Sequence, residues 1–168
     1  MKTSLRRPKR REANSSLSIR GRKRQLSAPF FEPAESGMEN YVAKHDKLMR
    51  HLQMSIESAS RGYAKVSMPL TENHKNGMGV AHGGAIFALA DVAFGAAANA
   101  DRETGVVSLS TTIEFLRPGK TGPLTAEARV VRDGQHVQSY DVQILDGSGA
   151  LIARTMAAGF LTDVPLPR

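Results

Sequence analysis

Fourteen consecutive residues, Ala85-Ile-Phe-Ala-Leu-Ala-Asp-Val-Ala-Phe-Gly-Ala-Ala-Ala98, contain no proline, one glycine and one charge, Asp91. Alanine is the strongest helix former, and a run this apolar around its circumference predicts a helix buried on every side. The run is too short to span a bilayer. Whatever fold the chain adopts must wrap this helix in other elements and place the Asp91 carboxylate inside the wrapping. An unpartnered buried carboxylate is unfavourable by several kcal/mol or shifts its pKa, so Asp91 calls for a chemical reason.

The segment before the run is Asn76-Gly-Met-Gly-Val-Ala-His82-Gly83-Gly84. Gly83 and Gly84 carry no side chains, so a ligand can come close to the backbone at the helix start. First-turn N–H groups have no intrahelical partner and sit at the positive end of the helix dipole. Together these features suit a carbonyl oxygen that gains negative charge. Gly83 and Asp91 are separated by eight residues of helix, roughly 12 Å of rise. A carbonyl and the group that attacks it must come within about 3–3.5 Å, so one helix cannot easily supply both. Two antiparallel copies in a twofold dimer can, with Asp91 of one subunit near Gly83 of the other.

The remaining chain is read in order. Residues 1–30 carry ten Lys/Arg against one acidic residue, so the formal net charge of +7 belongs to this end and the rest is slightly acidic. Residues 1–37 read as a disordered basic extension without apolar periodicity or a secretory h-region. Four readings stay open for it: a solvated extension, an upstream segment preceding a true start at Met38, a mitochondrial transit peptide, or a nucleic-acid or nuclear-targeting segment. Glu39 to Ser58 reads as one amphipathic helix, with His45 and His51 on its surface. Gly62 to Leu70 reads as a strand and Thr71 to Ala81 as a loop. Gly105 to Leu116 alternates, with Val107, Leu109, Thr111, Ile113 and Phe115 on one face and Ser108, Ser110, Thr112 and Glu114 on the other. Further strands are expected at Leu124–Arg132, Gln135–Leu145 and Ala150–Leu161. Asp133-Gly134 gives a two-residue hairpin and Asp146-Gly-Ser-Gly149 a turn. One strand, a buried helix and four strands joined largely by hairpins make an α+β pattern, an antiparallel sheet wrapped around the helix.

Several chemistries lack their signatures. There is no cysteine, hence no disulfide framework or thiolate zinc site. Gly77-Met-Gly79 misses the dinucleotide-binding spacing, and Gly119-Lys120-Thr121 lacks the first glycine of a P-loop because Glu114 stands there. Neither H-E-x-x-H nor G-x-S-x-G occurs.

Asn76-x6-Gly83-Gly84 with His82 before the glycines, then Leu89-Ala90-Asp91 on the helix, resembles the PaaI-type (phenylacetate-pathway) branch of the hotdog-fold acyl-CoA thioesterases. The resemblance extends through Thr112-Ile-Glu-Phe-Leu-Arg-Pro-Gly119 and covers roughly residues 40 to 163. It implies a hotdog domain over 38–163, a short tail at 164–168, and hydrolysis of an acyl- or aryl-CoA thioester to free acid and CoA. By the resemblance, Asp91 is general base or nucleophile, the Gly83 N–H polarises the carbonyl, and Asn76 orients water or thioester. His82 is then a positioning residue or a substrate contact, Gly84 lies against the substrate, and Ser108 contributes a hydroxyl near the site or serves only structure. Arg117 and Lys120 lie toward the coenzyme A phosphates. The expected assembly is a homodimer with shared active sites, further paired into a homotetramer. No metal or other cofactor is expected beyond the CoA of the substrate, and neither membrane nor nucleic acid is an expected partner. The location is cytoplasmic, or mitochondrial if the basic segment is a transit peptide. The alternative is a non-catalytic acyl-CoA-binding regulatory module whose basic tail contacts nucleic acid. A hotdog dehydratase fits less well, because its Asp/His spacing is missing.

Overall fold

The computed structural model describes residues 40–167, so the basic segment 1–37 and its readings lie outside the described residues. Two short helices open the domain, α1 (Tyr41–His45) and α2 (Lys47–His51). They are followed by β1 (Ser55–Ser60), β2 (Tyr63–Met68), a 3-10 turn (Glu72–His74) and α3 (Gly83–Asn99). Four strands complete the chain: β3 (Thr104–Phe115), β4 (Leu124–Asp133), β5 (Val137–Leu145) and β6 (Leu151–Pro165). All six strands form one antiparallel sheet in the order β1-β2-β4-β5-β6-β3.

α3 packs against every strand of that sheet. Its Ile86, Leu89, Ala90, Ala93, Phe94 and Ala97 are buried against Val66, Leu124, Ala126, Val142 and Ile144. Alanines on both surfaces let helix and sheet approach closely, and each fully buried large side chain contributes roughly 1.5–3 kcal/mol. Phe94 meets Tyr140 edge-on at a centroid distance of 5.2 Å, which fixes the C-terminal half of the helix on the sheet.

Four expectations need correction. Glu39–Ser58 is not one helix: Asp46 interrupts it by accepting a bond from the Met49 N–H at 2.9 Å, which caps α2 instead of continuing α1. The chain then turns through a left-handed Gln53, and Ile56 pairs with Val66 in β1, an early strand hidden by its weak alternation. α3 is not enclosed on every side either. Gly84, Phe87 and Asp91 are exposed, with Ala88 and Gly95 half-buried, a stripe at helical spacing that a sheet lying on the opposite side leaves uncovered. β3 also carries a bulge between Ser108 and Ser110. Val106 is therefore buried and Val107 is 51% exposed, so the alternation inverts before the bulge and holds after it. Ser108 pairs with Gly159 and lies on the helix side, not with Ser110, Thr112 and Glu114. A second irregularity, between Val130 and Arg132, lengthens the β4–β5 connection to Gly134, Gln135 and His136.

The β5–β6 turn is built by Asp146. Its carboxylate accepts from the Ser148 hydroxyl, the Ser148 N–H at 3.0 Å and the Ala150 N–H at 3.3 Å. These bonds, the Ser148 hydroxyl first, lower its pKa from 3.8 to about 2. A carboxylate stabilised in the fold contributes stability above its ordinary pKa, and the contribution disappears as pH falls toward 2. Asp146→Ala should lower stability at pH 7 by about 1–2 kcal/mol. In urea titrations repeated at decreasing pH, the gap to wild type should close between pH 4 and 2.

Candidate active site

α3 begins where its residues require. His82 is the N-cap, with extended backbone, and its Nδ1 accepts the Gly84 N–H at 2.8 Å. That bond leaves the proton of a neutral ring on Nε2 and occupies the Gly84 N–H. The Ile86 N–H reaches the His82 carbonyl at 3.0 Å as the first helical bond. The Gly83 N–H has no acceptor among the described residues, and no acidic side chain stands in the first turn to compete for the positive helix end.

The loop before the helix is held by Asn76. Its Oδ1 accepts from the N–H of Met78 at 2.9 Å and of Val80 at 3.4 Å, while its own N–H donates to the Val80 carbonyl. Gly79 closes the turn at φ +73°, a conformation that favours glycine. The Asn76 Nδ2 group has no partner among the described residues and can donate to a ligand. The loop is tied to the opposite wall by the Ala81 N–H, which donates to the Gly119 carbonyl at 2.9 Å.

Between these walls lies a pocket of about 320 Å³, lined by Asn76, Met78, Val80, Ala81, Gly83, Ile86 and the segment Phe115–Gly119. Arg117 is held there by its N–H on the Ile152 carbonyl at 3.1 Å and by Nη1 on the Leu151 carbonyl at 2.9 Å. The pocket thus unites three of the residues marked in the sequence, Asn76, Gly83 and Arg117. His82 and Gly84 flank it at the helix start without lining it, and Lys120 is exposed outside it. Phe115, Met78 and Leu116 form its apolar walls, and the sequence marks none of them as a site residue. The signal for Phe115 is its inward parity in β3, legible only together with the glycine it faces.

Asp91 lies outside the pocket, on the open stripe of α3. β3 runs beside the helix with Phe115 against Gly83 at one end. At the other end Asn99 is bonded to both the N–H and the carbonyl of Val106. Between these ends of β3 the Ser108 and Thr111 hydroxyls are 3.5 Å apart. Although Asp91 is exposed as a residue, the partial burial of its carboxylate raises its pKa above the ordinary value of 3.8, and the like charge of Asp46 adds to the effect. Among the described residues no group of three His, Asp or Glu could hold a metal ion, and no helix is long and apolar enough to cross a membrane.

A 17-residue helix packed against a six-stranded antiparallel sheet, with a pocket at the helix N-terminus, is the arrangement of a hotdog fold. The thioesterase superfamily model matches residues 78–153. The acyl-coenzyme A thioesterase PaaI of Escherichia coli K12 is 38% identical over 111 residues, 66% of this chain and 79% of that one. The solved E. coli PaaI structure aligns with a TM-score of 0.71 at 32% identity, covering 75% of this chain and 91% of that one. A Streptococcus mutans protein solved with acetyl-CoA aligns with a TM-score of 0.61 at 28% identity, over 65% of this chain and 88% of that one. This chain belongs to the thioesterase superfamily, in its PaaI-type hotdog branch, and is a thioester hydrolase.

Proposed function

We propose that the protein hydrolyses acyl- or aryl-CoA thioesters to the free acid and CoA in a homodimer with shared active sites. The observation that carries this reading is the separation of roles along α3. The free Gly83 N–H and the Asn76 amide meet in one pocket, while Asp91 sits on an uncovered stripe roughly 12 Å along the same helix. A second copy laid antiparallel over that stripe brings its Asp91 to this pocket. β3, an edge strand with only β6 beside it, is open for the same contact. Two such dimers pair into a tetramer, a state that the solution mass would report.

In this arrangement the thioester carbonyl accepts from the Gly83 N–H and the Asn76 amide holds the water or the thioester. Asp91 of the facing subunit then removes a proton from the water as hydroxide adds to the carbonyl carbon, or adds directly to give a mixed anhydride that water opens. The oxyanion forms at the positive helix end, and collapse of the tetrahedral intermediate expels the CoA thiolate, which takes up a proton. Thiolate is a good leaving group, so polarisation and a positioned carboxylate suffice without metal or redox chemistry. Arg117, which lines the pocket, would meet a phosphate of CoA. The test is free-thiol release from phenylacetyl-, benzoyl-, hexanoyl- and palmitoyl-CoA. Turnover on at least one member is expected, and CoA-ester binding without turnover on any would overturn the reading.

A further inference from the structure

Two of the glycines that line the pocket have little space where a side chain would stand. A Cβ placed on Gly83 would lie 3.3 Å from Cζ of Phe115. A Cβ on Gly119 would lie 2.8 Å from Cδ1 of Ile152 and 3.2 Å from Cβ of Ala81. Gly83 is thus crowded by the Phe115 ring, and Gly119 by the Ile152 and Ala81 side chains. Phe115 stands at the end of β3, past the bulge, and its ring leans over the first residue of α3, the residue whose N–H is free. If a carbonyl is bound to that N–H, the carbon next to it must pass beside the Phe115 ring. A methylene fits such a gap, and a second substituent on the same carbon meets the ring.

We propose that Phe115 is a specificity-determining residue that selects thioesters unbranched at the carbon next to the carbonyl. This rests on the placement of the carbonyl at Gly83. The selectivity is steric, and one extra carbon group in a tight apolar site is worth roughly 10–200-fold in kcat/KM. Because Phe115 is 54% exposed on the single chain, its truncation removes little from the core, and the fold should survive.

Butyryl-CoA and isobutyryl-CoA are isomers that differ only in branching at that carbon, so they isolate the effect. The wild-type dimer should hydrolyse butyryl-CoA with a kcat/KM at least tenfold above isobutyryl-CoA. Phe115→Ala should bring the two values within about threefold, by raising the isobutyryl value and not merely lowering the butyryl one, with Phe115→Leu in between. An isomer ratio unchanged from wild type in both variants would overturn the proposal. Gly83→Val, run alongside, separates the two failures. If it leaves butyryl hydrolysis intact, the carbonyl does not sit at Gly83; if it abolishes hydrolysis while the Phe115 variants keep the wild-type ratio, the site reading stands and the role of Phe115 falls.

Discussion

Asp91→Asn and Gly83→Val subunits, each inactive alone, should together regain about a quarter of wild-type activity when unfolded, mixed equally and refolded. Asp91→Asn keeps size and hydrogen bonding but cannot accept a proton or form an anhydride, and loss of a positioned general base lowers turnover by roughly 10²–10⁴-fold. Gly83→Val puts a branched side chain where even one Cβ already lies 3.3 Å from the Phe115 ring, closing the pocket at the carbonyl site. In a mixed dimer with shared sites, one site combines an intact Gly83 with an intact Asp91 and the other has neither. Half of randomly formed dimers are mixed and each has one working site, which gives the quarter. Sites contained within one chain would give no recovery at all. Steady-state thiol release on the refolded mixture reads the result directly.

The same residue makes a second readout possible. With Asp91 as the base of the proposed reaction, its raised pKa should place the acid limb of kcat/KM above the ordinary carboxylate value of 3.8. For stability the sign is opposite to that of Asp146. A carboxyl whose pKa is raised by folding favours the folded state only at low pH, and that contribution is lost as pH rises through the raised value. At neutral pH the ionised Asp91 therefore opposes folding, and Asp91→Asn should melt no lower than wild type while losing turnover. A melting temperature that falls with activity would mark Asp91 as a structural residue.

Gly147→Ala should be the most damaging single methyl in the domain. The added Cβ would lie 2.2 Å from the Gly122 carbonyl oxygen, a contact with backbone that no side-chain rotation relieves. Gly147 also donates its N–H to the Thr121 carbonyl at 2.9 Å, tying the β5–β6 turn to the segment before β4. The two loops must part to admit the methyl, which breaks that bond and disturbs the neighbouring Asp146 turn. The expected loss is roughly 3 kcal/mol or more, beyond the usual range of point substitutions. A drop in melting temperature of about 6–12 °C follows for a chain of this size. Gly149→Ala, by contrast, meets open space but has φ +79°, so its cost is backbone strain of about 1 kcal/mol.

The legible parts of this protein were those written in neighbouring residues. The alanine-rich run and the paired glycines announce α3 and its N-terminus, because propensity and capping act within one or two turns. The β4, β5 and β6 strands follow from alternation bounded by turn residues. The early strand β1 did not show, because Ser55-Ile-Glu-Ser-Ala-Ser60 alternates weakly and its pairing with β2 is what makes it a strand. The bulge at Ser108–Ser110 did not show either, and it reverses which of Val106 and Val107 is buried. A bulge is set by the fit of one strand to another, and a single strand holds no record of it.

From the sequence alone came a helix that must be wrapped, a glycine N-terminus able to receive a carbonyl, and a carboxylate too far along the helix to reach it from the same chain. Spacing along a helix is fixed by its rise, so these needed no knowledge of the fold. The tertiary structure alone decided that Phe115 stands over Gly83, that Arg117 rather than Lys120 lines the pocket, and that the Asp91 stripe is left open. Each of these is a contact, or a missing contact, between segments far apart in the chain. Such contacts depend on where the sheet curls and where its strands end, which no local pattern of residues specifies.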